Sequence, residues 1–222
     1  MTSTVVFIDW RVEDPRSIVA GLPADSTWFL LTSDEDGISQ IRRIVAGYSE
    51  LDSIQVVSHG SAGALLLGSS VIDAAALAAR ASALTDIGGA LSEGGDVLLY
   101  GCDVGQGEAG RAFVDALANL IGADVAASSD ATGATALGGN WTLEVTTGPI
   151  EAAGLTGGAY AHLLPLIVTT ASIAPTIAFK PEGLTGTSAF SFTVTRTGDL
   201  SVAQDVSWVV AGAAPNPADG AD

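Results

Sequence analysis

Two stretches of this chain end in residues that can do covalent chemistry. "SIQVVSHG" closes on His59 and Gly60, and "DVLLYGC" closes on Cys102, the only cysteine in the sequence. An imidazole near a thiol can take its proton and leave the thiolate, which is the nucleophilic form. The amides of Gly60 and Cys102, each in a tight glycine turn, are placed to donate to an oxyanion as it develops. Taken singly, the cysteine reads as a small buried hydrophobe and the histidine as a hydrogen-bonding turn residue. Their matched placement after two apolar runs points instead to a His59–Cys102 dyad, which needs no cofactor.

For the dyad to assemble, the two runs must be neighbouring parallel strands. One helical segment lies between them, as a single crossover connection requires, and open α/β sheets place their sites at the carboxyl edge. "TVVFID" (4–9), "TWFLLT" (27–32) and "ADVAAS" (123–128) join the two runs as predicted strands. Their continuous rather than alternating apolar character predicts a mainly parallel sheet covered on both faces. "DGISQIRRIVAGY", "IDAAALAARASALTDIGGAL" and "GEAGRAFVDALANLIG" carry helical periodicity, with Gly122 as a C-cap. "ATALGGNWTLEVTTGPI" (134–150) reads as a hairpin or an edge ribbon, bent at Gly138 and Gly139. The expected organisation is an α/β domain over 1–151, a linker over 152–172, free or partly docked, and an incomplete β domain over 173–222. Arg11 is expected to pair locally with Glu13 or Asp14, and Asp9 to be structural.

Composition narrows the partners. Eight basic residues stand against 25 acidic ones, a net charge of −17, so phosphate-rich nucleic acid is excluded as a partner. There is no Walker loop, no Rossmann glycine fingerprint and no zinc-ligand spacing. No apolar run is long enough to span a membrane, and "MTSTVVFIDWRV" lacks the basic leader of a signal peptide.

The His-Gly and Cys pattern, each after a hydrophobic strand, resembles the caspase-like (clan CD) cysteine peptidases. Residues 4–150 resemble more closely a bacterial domain family of unknown function, found at the N-terminus of very large surface or secreted proteins. The matching stretches are "VVFIDWRVED", "DGISQI", "VVSHGSAGALLLG", "GDVLLYGCDVGQGEAG", "GADVAASSDATG" and "GGNWTLE". The peptidase resemblance implies a three-layer sandwich, His59 as general base or proton donor, Cys102 as nucleophile, and Gly60 with Cys102 as oxyanion donors. It also places Tyr100, two residues before the cysteine, in the specificity pocket, where several branches carry Gln or Asp. Tyr100 suits an apolar substrate residue rather than a basic one. Asp103 and Asp130 are the remaining acids near such a pocket, although aspartates at these places also read as turn residues.

"TIAFKPEGLTGTSAFSFTVTRTG" and the residues after it resemble the first half of a Calx-beta domain, an immunoglobulin-like sandwich of adhesive surface proteins. That resemblance implies calcium at Glu182, Asp219 and Asp222, a larger parent chain, and a secreted or cell-surface location reached without an N-terminal signal; cytoplasmic residence is the alternative. Two functions are therefore expected to compete. One is a cysteine endopeptidase acting on a polypeptide, including its own 152–172 segment, where Leu155 and Leu163 are the candidate sites and Leu164, followed by Pro165, a poorer one. The other is a non-catalytic N-terminal module of a large adhesin-like protein. A cytoplasmic ligand-binding α/β domain is a third reading.

Overall fold

The structure, a computed structural model, describes residues 3–24, 26–165, 170–175 and 191–197. It divides into two compact units, Met1–Leu166 and Ile167–Asp222. The first is mixed α/β, built on a six-stranded sheet. The strands are β1 (Thr4–Ile8), β2 (Ser26–Leu30), β3 (Leu51–Val57), β7 (Leu91–Tyr100), β8 (Asp124–Ala127) and β9 (Val145–Thr146). Their spatial order is β2-β1-β3-β7-β8-β9, and all pairs are parallel except β8 with β9.

The continuous apolar runs have a direct cause. Val5 and Phe7 of β1, Ile54 and Val56 of β3, and Val97 and Leu99 of β7 face one buried cluster. Val6, Ile8, Val57, Leu98 and Tyr100 face a second cluster on the other side. A strand buried on both faces needs no solvent-facing polar position to alternate with.

The two faces are covered differently. Over the first lie α2 (Gly37–Val45), α3 (Ala74–Ala79), α4 (Ala81–Gly88) and α5 (Gly107–Ile121). Asp36 caps α2 by accepting the Ser39 amide at 3.0 Å, and Asp73 caps α3 through the Ala76 amide at 2.8 Å. Gly122 ends α5 in the left-handed conformation, φ 77°. Over the second face lies only the short α1 (Pro15–Val19) together with irregular chain. Irregular chain can be buried there because the sheet supplies hydrogen-bond partners for its backbone. Asp96 accepts the amides of Glu151 and Ala152, Gln55 donates to the carbonyl of Ala153, and the Tyr100 hydroxyl accepts the Leu155 amide at 2.7 Å. Leu155, Tyr160 and Leu164 then fill the apolar cluster.

Three local expectations are corrected, and one element was unforeseen. The helical pattern across 72–91 is two helices, broken at Arg80, whose guanidinium is drawn to Asp36 at 2.7–2.8 Å. Residues 60–72 form a small antiparallel sheet of β4 (Gly60–Ser61), β5 (Ala64–Leu67) and β6 (Ser70–Ile72), for which no expectation was drawn. Residues 134–150 form no hairpin but an edge segment: a 3-10 turn over Thr135–Leu137 leads into chain that bridges Thr132 at Asn140 and joins the sheet edge at β9. The bend is instead tied to its surroundings, with Asn140 donating to both carboxylate oxygens of Asp130 at 3.0 Å. Arg11 pairs with buried Asp9 at 3.1 Å, while Glu13 pairs with His162 at 2.8 Å.

In the second unit, β10 (Thr170–Pro175) and β11 (Phe192–Thr197) form an antiparallel pair. Ile173, Phe192 and Val194 are exposed on it. Glu182, Asp219 and Asp222, the calcium ligands expected by resemblance, lie outside the described residues.

Candidate active site

Strands β3 and β7 are parallel neighbours, with Val57 opposite Tyr100. The Ser58 amide extends the ladder by donating to the Tyr100 carbonyl at 2.9 Å. His59-Gly60 and Gly101-Cys102 therefore leave the sheet side by side at its carboxyl edge. The approach is close enough to require glycine: a Cβ on Gly60 would lie 2.5 Å from Val104 Cγ2 and 3.0 Å from the Cys102 carbonyl oxygen.

The amides of Gly60 and Cys102 converge on one acceptor. They donate to the carbonyl oxygen of Leu164 at 2.9 and 3.0 Å. The chain bearing that oxygen is held as an extended strand. His162 O accepts the Ala134 amide at 2.8 Å, and the Leu164 amide donates to Thr132 O at 3.0 Å. Leu163 forms an antiparallel bridge with Gly133, and Pro165 a parallel bridge with Gly60. The Leu164 side chain is fully buried in the cluster that contains Tyr100, Cys102, Leu155 and Tyr160.

Cys102 sits beneath this strand, only 2% exposed. Its Sγ accepts the Thr132 amide at 3.2 Å and faces the Thr132 carbonyl at 3.5 Å. Burial pushes the thiol above its ordinary range. The Thr132 and Leu164 amides oppose that shift, and the charges of Asp103 and Asp130 add to it. His59 stands on the far side of the Leu164–Pro165 bond. Its Nδ1 is 3.0 Å from Pro165 O and its Nε2 is 3.2 Å from Arg11 O. A neutral imidazole has one N–H and satisfies one of these carbonyls; the protonated ring donates to both. Among the described residues no hydrogen bond joins His59 to Cys102.

The structure thus brings His59, Gly60 and Cys102 to two successive carbonyls of the same chain, those of Leu164 and Pro165. Tyr100 is fully buried, its hydroxyl spent on Leu155 and its ring 5.5 Å from Trp141. Burial pushes its phenol up to about 12. Asp103 adopts a left-handed turn conformation, φ 62°, and its carboxylate accepts from Gln106. Asp130 is bound to Asn140 and Ser128. Among the described residues no cluster of three or more His, Cys, Asp or Glu side chains is placed to hold a metal ion. A cleft of about 610 Å³ opens at the opposite, amino end of the strands, beside Gln55, Glu93 and Glu151, and is separate from the dyad.

Two participants went unforeseen. Thr132 holds the thiol through its main chain, from the loop in which only Asp130 drew attention. Arg11 presents its carbonyl to His59 because Asp9 anchors its guanidinium and its amide, both at 3.1 Å. The aspartate ending β1 was the available signal.

A parallel-sheet α/β unit with a histidine and a cysteine at adjacent strand ends defines the class structurally. Its family is shown directly: the chain belongs to the family described as Domain of unknown function (DUF4347), which matches residues 5–163. No curated protein and no solved structure matches the chain.

Proposed function

We propose that the first unit is a caspase-like cysteine peptidase with His59 and Cys102 as its dyad. The observation that carries this reading is the convergence of the Gly60 and Cys102 amides on one carbonyl oxygen, with His59 just beyond the bond that follows it. In the reaction, His59 takes the thiol proton and Sγ adds to the substrate carbonyl carbon. The carbonyl electron pair moves to the oxygen held by the two amides. Collapse of the adduct breaks the C–N bond, the departing amine takes the proton from His59, and water then hydrolyses the thioester. Incubating the purified chain with an unfolded protein substrate, with and without calcium and at denaturant concentrations below the unfolding transition that release the strand covering Cys102, tests this by mass spectrometry of new termini. Cleavage by the parent, absent from Cys102→Ala and His59→Ala, is the expected result.

A specific observation favours a second reading. Cys102 is buried, its thiol is held by Thr132, and burial disfavours its thiolate, as in a non-catalytic module at the head of a large surface protein. No cleavage under any condition, with Cys102 alkylated equally slowly in parent and His59→Ala, selects that reading.

The resemblance of the second unit to a Calx-beta domain supports a secreted or cell-surface parent protein, with calcium at Glu182, Asp219 and Asp222. Among the described residues no helix is long and apolar enough to cross a membrane.

A further inference from the structure

The oxyanion donors of the proposed site already have an occupant. Leu164 delivers its carbonyl to both amides, its amide to Thr132, and its side chain to the buried apolar cluster beside Cys102. His162 and Leu163 extend the same strand along residues 133–134, and Pro165 carries it past His59. These are the contacts an extended substrate would need. Main-chain hydrogen bonds hold it along an edge, one side chain goes into an apolar pocket, and the carbonyl lies between two N–H donors.

We propose that residues 162–165 are a resident plug of the dyad site, and that its substrates are extended peptides presenting a leucine-sized apolar residue in the place Leu164 now fills. The inference rests on the peptidase reading for its substrate class, but the plug is defined by geometry alone. Three features suit the segment to block rather than react. The bond after Leu164 leads to a proline nitrogen, which carries Cδ in place of hydrogen and crowds an adduct on that carbonyl. The thiol is turned to the Thr132 main chain and has no hydrogen bond to His59. The plug is also tethered on the amino side by Tyr160, buried in the same cluster, and by the contact of His162 Nδ1 with the Glu13 carboxylate at 2.8 Å. A tethered ligand acts at an effective concentration of about millimolar order, so a free peptide at micromolar concentration leaves it seated. The site opens when this strand withdraws.

The test is alkylation of Cys102 by iodoacetamide in the full chain, read by mass spectrometry, in the parent and in Leu164→Asp. A carboxylate at a fully buried apolar position expels the strand. The expected result is alkylation at least about tenfold faster in the variant, as the thiol becomes accessible. A leucyl acyloxymethyl ketone should then label the opened site, an arginyl analogue should not, and adding His59→Ala should suppress the leucyl labelling. A Leu164→Asp chain that is folded by circular dichroism, yet alkylated at the parent rate, overturns the plug. A thiol that gains iodoacetamide reactivity but ignores the leucyl ketone, with or without His59, keeps the plug and overturns both the substrate class and the peptidase reading. If Leu164→Asp fails to fold, the parent chain decides. Below the unfolding transition, alkylation must rise with denaturant in step with hydrogen exchange at the Leu164 amide. Alkylation without that exchange overturns the plug.

Discussion

The amide nitrogens of Gly60 and Cys102 lie 2.9 and 3.0 Å from the same oxygen atom, that of Leu164. Two donors from different strand ends can share one acceptor only if both turns are held in register. The Ser58-to-Tyr100 hydrogen bond supplies that register by carrying the ladder one residue past β3, onto the last residue of β7. Geometry of this kind is fixed by backbone, so it survives many side-chain changes but few changes at the glycines.

Asp9 is predicted to be the most sensitive polar residue near the site. It has no exposed surface and accepts from the Arg11 amide, the Arg11 guanidinium and the Gly68 amide. Burial pushes its carboxyl upward, against these donors. Asp9→Ala leaves two amides and a partly buried cation without their acceptor, a loss of about 3 kcal/mol. Chemical denaturation measures it. The same change frees the Arg11 carbonyl that faces His59, so any His59-dependent reactivity of Cys102 should fall as well.

Tyr160→Phe is predicted to be tolerated. The Tyr160 hydroxyl is buried, and among the described residues it has no hydrogen-bond partner. Removing an unsatisfied buried hydroxyl while keeping the ring costs nothing and stabilises by up to about 1 kcal/mol. The ring contacts with Trp141 and His162, at 5.8 and 5.5 Å, are retained. A lower unfolding midpoint for Tyr160→Phe would mean that the hydroxyl is satisfied by a bound water.

Stability is predicted to decline in alkali. Burial raises the Cys102 thiol and the Tyr160 phenol, and it pushes the Tyr100 phenol up to about 12. Each group is neutral when protonated, so the folded chain holds these protons more tightly than the unfolded chain does. The contribution is complete below the ordinary thiol and phenol values, about 9 and 10. It is lost as pH climbs from there through the raised folded values. Unfolding midpoints measured from pH 7 to pH 11 should fall from about pH 9, less steeply in Tyr160→Phe.

The parallel sheet was legible because its evidence is local. Val5 to Ile8 and Val97 to Tyr100 are apolar without interruption, Ile54 to Val57 is broken only by Gln55, and the cause is burial on both faces. The glycines at His59-Gly60 and Gly101-Cys102 were legible for the same reason, since tight exits leave a mark at the position itself. Whether the side chains of His59 and Cys102 work as a dyad is a matter of chemistry, not of placement. What could not be read were pairings with no periodic signal. Leu164 reaches Gly60 and Cys102 from far along the chain, through a segment whose composition suggested a spacer. Its docking depends on Asp96, Gln55 and Tyr100 offering hydrogen bonds from the sheet face. The Arg11–Asp9 pair lost to Glu13 and Asp14 on paper because all three acids are near in sequence. Burial decided it, and burial is a property of the fold.

Gly60→Ala is predicted to separate the two amide donors. The added methyl would meet Val104 Cγ2 at 2.5 Å and the Cys102 carbonyl oxygen at 3.0 Å. Val104 is fully buried, and the Cys102 oxygen is main chain, so neither can move aside without shifting the turn. Overpacking of this kind costs about 1–3 kcal/mol, a loss that denaturation will report. The more telling effect is local. If the turns part, the Leu164 carbonyl keeps one donor at most, and the strand from His162 to Pro165 is held less firmly. Hydrogen exchange at the Leu164 amide should accelerate, and Cys102 should alkylate faster than in the parent. Any peptidase activity should fall by about 10²–10³ in kcat, the cost of one lost oxyanion donor. A variant more open to alkylating agents and yet poorer in turnover has that combination only if the same two amides hold both the plug and the developing oxyanion. Equal losses of stability and protection with turnover unchanged would assign Gly60 to packing alone.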